Sequence, residues 1–187
     1  MVDLFNLVED ETKTKKPPDG APTPFLWKKP PVGWVKANWD AGVNHKTGEV
    51  GLGAVIRDHQ GMMWVAKSMT RRGFLEPVAA TMAADLCREM GFRHVMLEGD
   101  AQVVINAVKS PFPDDSGTGH LTADLRVALS SIPDWEVGHI CRQSNQVAHV
   151  LASLALREDM DRVWLYDPPD CIREILYAEL SSLQDLP

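Results

Sequence analysis

Hydrophobic and polar residues change period several times along the chain, and each change marks an element. WVKANWDAGV alternates from Trp34 as a strand does, and Gly42 to Gly48 can turn the chain. VGLGAVIRD follows. The turn Asp58-His59-Gln60-Gly61 then leads into GMMWVAKSMT. These three segments predict an antiparallel meander with short connections. From Glu76 to Met90 the period lengthens: EPVAATMAADLCREM is alanine-rich, with apolar residues at helical spacing. Pro77 suits a first helical turn, and Gly91 ends the helix. RHVMLEGD predicts a short buried strand ending at Asp100, and AQVVINAVKS a second helix. PFPDDSGTGH reads as a polar loop, LTADLRVALSSI as a third helix and WEVGHICR as a further strand. SNQVAHVLASLALRED predicts a last long helix, with Ser144 or Asn145 as its N-cap. RVWL starts strand-like, the chain breaks at Pro168-Pro169, and a short amphipathic helix follows.

A helix joining two strands implies right-handed parallel crossovers. The expected fold is therefore α/β: a five-stranded mixed sheet flanked by helices on both faces. Three parts are expected. Residues 1–33 form a proline- and lysine-rich tail or linker that cannot hold a continuous helix, with Trp27 docking on the domain. Residues 34–160 form the domain, and residues 161–187 a C-terminal extension packing on it. Trp34, Trp39, Trp64, Trp135 and Trp164 are read as core. Lys28, Lys29, Lys36, Arg71 and Arg72 are read as solvated surface.

Composition narrows the function. A chain of 187 residues, 44% of them hydrophobic, suits one domain with a sizeable core. Apolar runs are too short to span a bilayer, and the start lacks the pattern of a secretory signal, so an intracellular protein of nucleus or cytoplasm is expected, without membrane association. Cys87, Cys141 and Cys171 are widely spaced and odd in number, which points to reduced thiols rather than a disulfide framework or zinc site. The net charge of −7 opposes broad attraction to nucleic acid, though not a local basic groove.

Three acids fall at element ends. Asp40 lies in the first strand, Glu76 opens the first long helix, and Asp100 ends the fourth strand. Ligands in open α/β sheets bind at such places. Three carboxylates brought together repel unless a cation binds between them, and magnesium suits such an oxygen set. Each acid also has an ordinary reading: Asp40 beside a turn, Glu76 at a helix N-terminus, and Asp100 as an N-cap.

The ordered set WVKANWDAG, GLGAVIRDHQG, EPVAATMAADLCREMGFRHVMLEGDAQVVINAV and HICRQSNQVAHVLASLAL resembles the ribonuclease H-like family, in its plant type related to non-LTR retroelements. The similarity covers about residues 28 to 180 and extends to the ending VWLYDPPDCIREILYAEL. It implies a metal-dependent endonuclease that cuts the RNA strand of an RNA–DNA hybrid, using two Mg²⁺ or Mn²⁺ ions. The family's metal-binding carboxylates fall on Asp40, Glu76 and Asp100, although Pro77 replaces an alanine common in the family. The family's last helix begins with an asparagine and carries an aspartate four residues on. Here Asn145 is followed by His149, which would complete the second metal site or manage protons. Backbone groups at Gly42 to Asn44 and the Glu76 carboxylate are expected to meet the ribose 2′-OH. Arg142, in a loop beside the site, is expected to meet a phosphate, with Asn145 also at the nucleic acid. The small residues Gly51 and Gly53 are expected to admit a backbone phosphate or sugar. A monomer is expected. The competing reading is a catalytically weak or inactive domain serving as a nucleic-acid or protein interaction module. Another nuclease of the superfamily, an exonuclease or junction resolvase, is a further alternative.

Overall fold

The computed structural model describes residues 27–72, 76–112 and 119–184. Three long strands come first: β1 (Val35–Asn44), β2 (Glu49–Asp58) and β3 (Met63–Arg72). They pair antiparallel, as their alternation predicts. Helix α1 (Glu76–Glu89) leads to β4 (His94–Gly99), which runs parallel to β1. Helices α2 (Gln102–Lys109) and α3 (Gly119–Ser130) lead to β5 (Asp134–His139), parallel to β4. A 3₁₀ turn at Arg142–Ser144 precedes α4 (Gln146–Glu158). The chain ends with β6 (Arg162–Leu165) and α5 (Asp170–Gln184).

The sheet order is β5-β4-β1-β2-β3-β6. It has six strands, against five expected. The extra strand is Arg162–Leu165, which pairs antiparallel with Val65–Ser68 of β3. Helices cover both faces. Val35, Ala37 and Trp39 of β1 join Leu52, Ile56 and Val65 in a core shared with α1 and α3. On the other face Val55 and Ala66 pack with Val147 and Leu151 of α4 and with Ile172 and Leu176 of α5. Trp39 is buried as expected, but Trp135, at the edge of the sheet, is 38% exposed.

Helix α4 lies unusually close to the sheet. A Cβ on Gly51 would stand 2.0 Å from the Ala152 carbonyl oxygen, and one on Gly53 2.2 Å from that of Ala148. The expectation for these glycines is therefore corrected: the backbone they admit is that of α4, not a nucleic-acid strand. Ala148, Ala152 and Ala155, three and four residues apart, supply a matching small-residue stripe. Hydroxyls from β3 fasten the contact. Ser68 Oγ donates to the Leu151 carbonyl and Thr70 Oγ1 to that of Ala155, each at 2.9 Å.

Candidate active site at the ends of two parallel strands

Strand alternation divides β1 between two environments. Val35, Ala37 and Trp39 enter one core, while Lys36, Asn38 and Asp40 share the opposite face, where Asp40 meets His149 of α4 and Asn38 meets Trp27. Backbone pairing of β1 with β4 runs from Val35↔Val95 to Asn38↔Glu98 and then stops. Beyond that rung the strands part, and Asp40 and Asp100 lie on either side of the opening. Both line one pocket of about 440 Å³, together with Ala41, Gly42, Val43, His45, Ala101, Arg142 and His149.

Asp40 is 7% exposed. Burial pushes its carboxyl above the ordinary carboxylate range, and the charge of Asp100 adds to the rise. A hydrogen bond from His149 partly opposes it. The His149 Nδ1 lies 2.7 Å from Asp40 Oδ2, and its Nε2 lies 3.4 Å from an Arg142 terminal nitrogen. A carboxylate accepts and an arginine donates, so both contacts are met when the ring proton sits on Nδ1. The imidazole is thus an orienting partner of Asp40, which helical spacing alone does not reveal.

Asp100 lies one residue before the cap position of α2, which Ala101 occupies. Glu76 opens α1, and its side chain lies outside the described residues. No group of three or more His, Cys, Asp or Glu side chains arranged to hold a metal is present among the described residues. The donor chemistry suits a hard cation all the same. Two carboxylates meet in one opening, and burial of Asp40 together with the charge of Asp100 disfavours its ionised form, which a bound cation would offset.

Asn145 occupies the N-cap position of α4 but caps nothing with its side chain. It is 2% exposed, and its amide donates to the Trp39 carbonyl at 2.9 Å, tying α4 to β1. The expectation that it meets nucleic acid is corrected on that ground. Gly42 lines the pocket. The Asn44 side-chain oxygen accepts from the Lys46 amide and shapes the β1–β2 turn. His45, in the same turn, lines the pocket and was not singled out from the sequence. Asp58 is a turn residue, accepting from the amides of Gln60 and Met62. Cys87, Cys141 and Cys171 are free thiols. Among the described residues no helix is long and apolar enough to cross a membrane.

A mixed sheet covered on both faces, with acids where two parallel strands part, defines a ribonuclease H-like domain. The chain belongs to the reverse transcriptase-like family, whose model matches residues 38–155. Solved structures agree on the fold. Ribonuclease H1 of Halobacterium salinarum is 23% identical, with a TM-score of 0.62 over 67% of this chain and 98% of its own. The compost-metagenome LC11 ribonuclease H1 is 19% identical, with a TM-score of 0.62 over 68% and 99%. The latter is also solved in complex with an RNA/DNA hybrid; that structure is 18% identical, with a TM-score of 0.59 over 67% and 98%. No curated protein matches the sequence significantly.

Proposed function

We propose that the chain is a metal-dependent endonuclease that hydrolyses the RNA strand of RNA–DNA hybrids. The observation that carries this reading is the meeting of Asp40 and Asp100 in one open pocket where β1 and β4 part. Arg142 and His149 line the same pocket. The solved hybrid complex of a ribonuclease H1 with this fold supports the choice of substrate.

Asp40 and Asp100, with Glu76 from the start of α1, would hold two Mg²⁺ or Mn²⁺ ions. Bound divalent ions favour attack of water on a phosphodiester and departure of the 3′ oxygen by offsetting negative charge on both. His149 Nδ1–H holds one oxygen of Asp40 in place. The other ring nitrogen, which faces Arg142, would take up or return a proton near the scissile phosphate. Arg142, exposed beside His149, is a donor suited to a phosphate oxygen. Backbone groups of Gly42 and Val43, on the pocket wall, and of the adjoining Asn44 would meet the ribose 2′-OH, the group that separates RNA from DNA.

A second reading, an inactive domain that binds nucleic acid or protein without cutting, has one observation in its favour. Where the family carries a fourth carboxylate this chain has His149, already bonded to Asp40. One assay separates the two. Labelled RNA–DNA hybrid is incubated in Mg²⁺ and in Mn²⁺ with wild type, Asp40→Asn and Asp100→Asn. Cleavage by the wild type alone is expected. Hybrid bound but uncut by the wild type, or equal products from all three proteins, sinks the nuclease reading.

A further inference from the structure

Beneath the site lies a buried polar cluster that no step above uses. Asn38, two residues before Asp40 on the same face of β1, accepts at Oδ1 from the Trp27 indole N–H at 2.8 Å and from Arg57 at 3.1 Å. With two donors fixed on that oxygen, its amide nitrogen turns to Glu98 Oε2, 3.5 Å away on β4. Glu98 is also paired with Lys36 at 2.9 Å. Arg57 is fully buried, lies 3.6 Å from the Trp27 ring centroid and pairs with Glu179 of α5. Two cations and two carboxylates balance the cluster. Trp27 and α5 both lie outside residues 38–155, the span of the family match.

The place of this cluster matters more than its charge balance. Asn38↔Glu98 is the last backbone-paired rung between β1 and β4. One step further along each strand's alternation stand Asp40 and Asp100, which repel. The Asn38–Glu98 contact is therefore the side-chain tie at the point where the strands begin to part. Without the Trp27 donor, Arg57 alone orients the Asn38 amide, and its hold on Glu98 loosens.

We propose that Trp27 is a positioning residue: through Asn38 and Glu98 it sets the separation of Asp40 and Asp100. Residues 27–33 and α5 are thus working parts of the domain, not appendages. The geometry stands alone; only its consequence for cleavage rests on the nuclease reading.

Trp27→Phe keeps a ring over Arg57 and removes the N–H. In the full-length protein without added metal, NMR at fixed pH is expected to show shifts at the amides of Asp40, Ala41, Asp100 and Ala101 and in the His149 ring. None of these groups bonds to Trp27. Glu98→Gln, made on the other strand, is expected to move the same set, and it decides the matter if Trp27→Phe does not fold. Hybrid cleavage by Trp27→Phe is expected to lose about tenfold or more in kcat, with KM within about twofold, since small misplacements of reacting groups act on the chemical step. Shifts confined to Lys36, Asn38, Arg57 and Glu179 overturn the proposal. A wild type that leaves the hybrid uncut sinks the nuclease reading alone, and the NMR comparison then decides the positioning by itself.

Discussion

Replacing Gly53 with alanine places a methyl group where the backbone of α4 already runs. The new Cβ would stand 2.2 Å from the Ala148 carbonyl oxygen and 2.5 Å from the Ala152 amide nitrogen, whereas ordinary contact begins at 3.4 Å. Relief requires α4 to rise by about 1.2 Å, the difference between 3.4 and 2.2 Å. The three bonds that fasten α4, from Ser68, Thr70 and Asn145, are each 2.9 Å long and would stretch to about 4.1 Å, beyond hydrogen-bond range. Overpacking of this kind costs roughly 1–3 kcal/mol. Each of the three lost bonds adds about 1 kcal/mol, so a total of about 4–6 kcal/mol is expected. For a chain of this size that corresponds to a fall in Tm of roughly 8–24 °C. Thermal unfolding followed by circular dichroism, with urea titration as a second measure, reads the effect. If Gly53→Ala melts within about 2 °C of wild type and instead weakens hybrid binding, the close approach belongs to substrate and the reasoning fails.

Other outcomes follow from the same geometry. The raised Asp40 carboxyl gives a signed pH dependence. Between the ordinary value of 3.8 and its folded value, the folded state binds more protons than the unfolded chain, so this group lowers stability as pH rises through that window. Urea denaturation in a chelator should therefore show Asp40→Asn gaining on wild type as pH rises above about 4, then holding its gain; a gain that shrinks with rising pH contradicts the assignment. His149→Asp adds a carboxylate beside Asp40 and removes its hydrogen-bond donor. Its Tm is expected to fall in chelator and to recover more than that of wild type with millimolar Mg²⁺, as binding to the folded state requires; equal recovery argues against cations in the pocket. Arg142→Ala should leave Tm unchanged while weakening hybrid affinity and reducing its salt slope by about one, which titrations at several salt concentrations would measure. An unchanged slope removes Arg142 from the phosphates.

Elements with a clear period were legible in the sequence, and those shaped by their neighbours were not. The meander, α1 and α4 each carry enough residues for their spacing to declare itself. RVWL is only four residues long and sits among turn-forming residues, so its place as a sixth strand depends on β3 lying beside it. In β1 the alternation revealed that Lys36, Asn38 and Asp40 share a face, and a polar face usually means water. Here Trp27 and Glu98 meet Lys36 and leave it only 4% exposed, against the solvated surface expected for it. Arg57 is hidden for the same reason: its partners come from residues 27 and 179, and no local pattern joins them. Asp40 and Asp100 were picked out by family resemblance, since taken singly each also reads as an ordinary strand-end acid. Asn145 has the right residue type for a cap, but the nearby Trp39 carbonyl takes its amide.

Successive residues on a helix point about 100° apart, so Ala148 and His149 serve separate purposes on one turn. Ala148 is fully buried against Gly53, while the His149 side chain is 38% exposed at the pocket rim. The side chain that meets Asp40 is thereby insulated from the one that docks α4 on the sheet. A substitution at 149 can therefore change what Asp40 meets without disturbing the packing of Ala148 on Gly53.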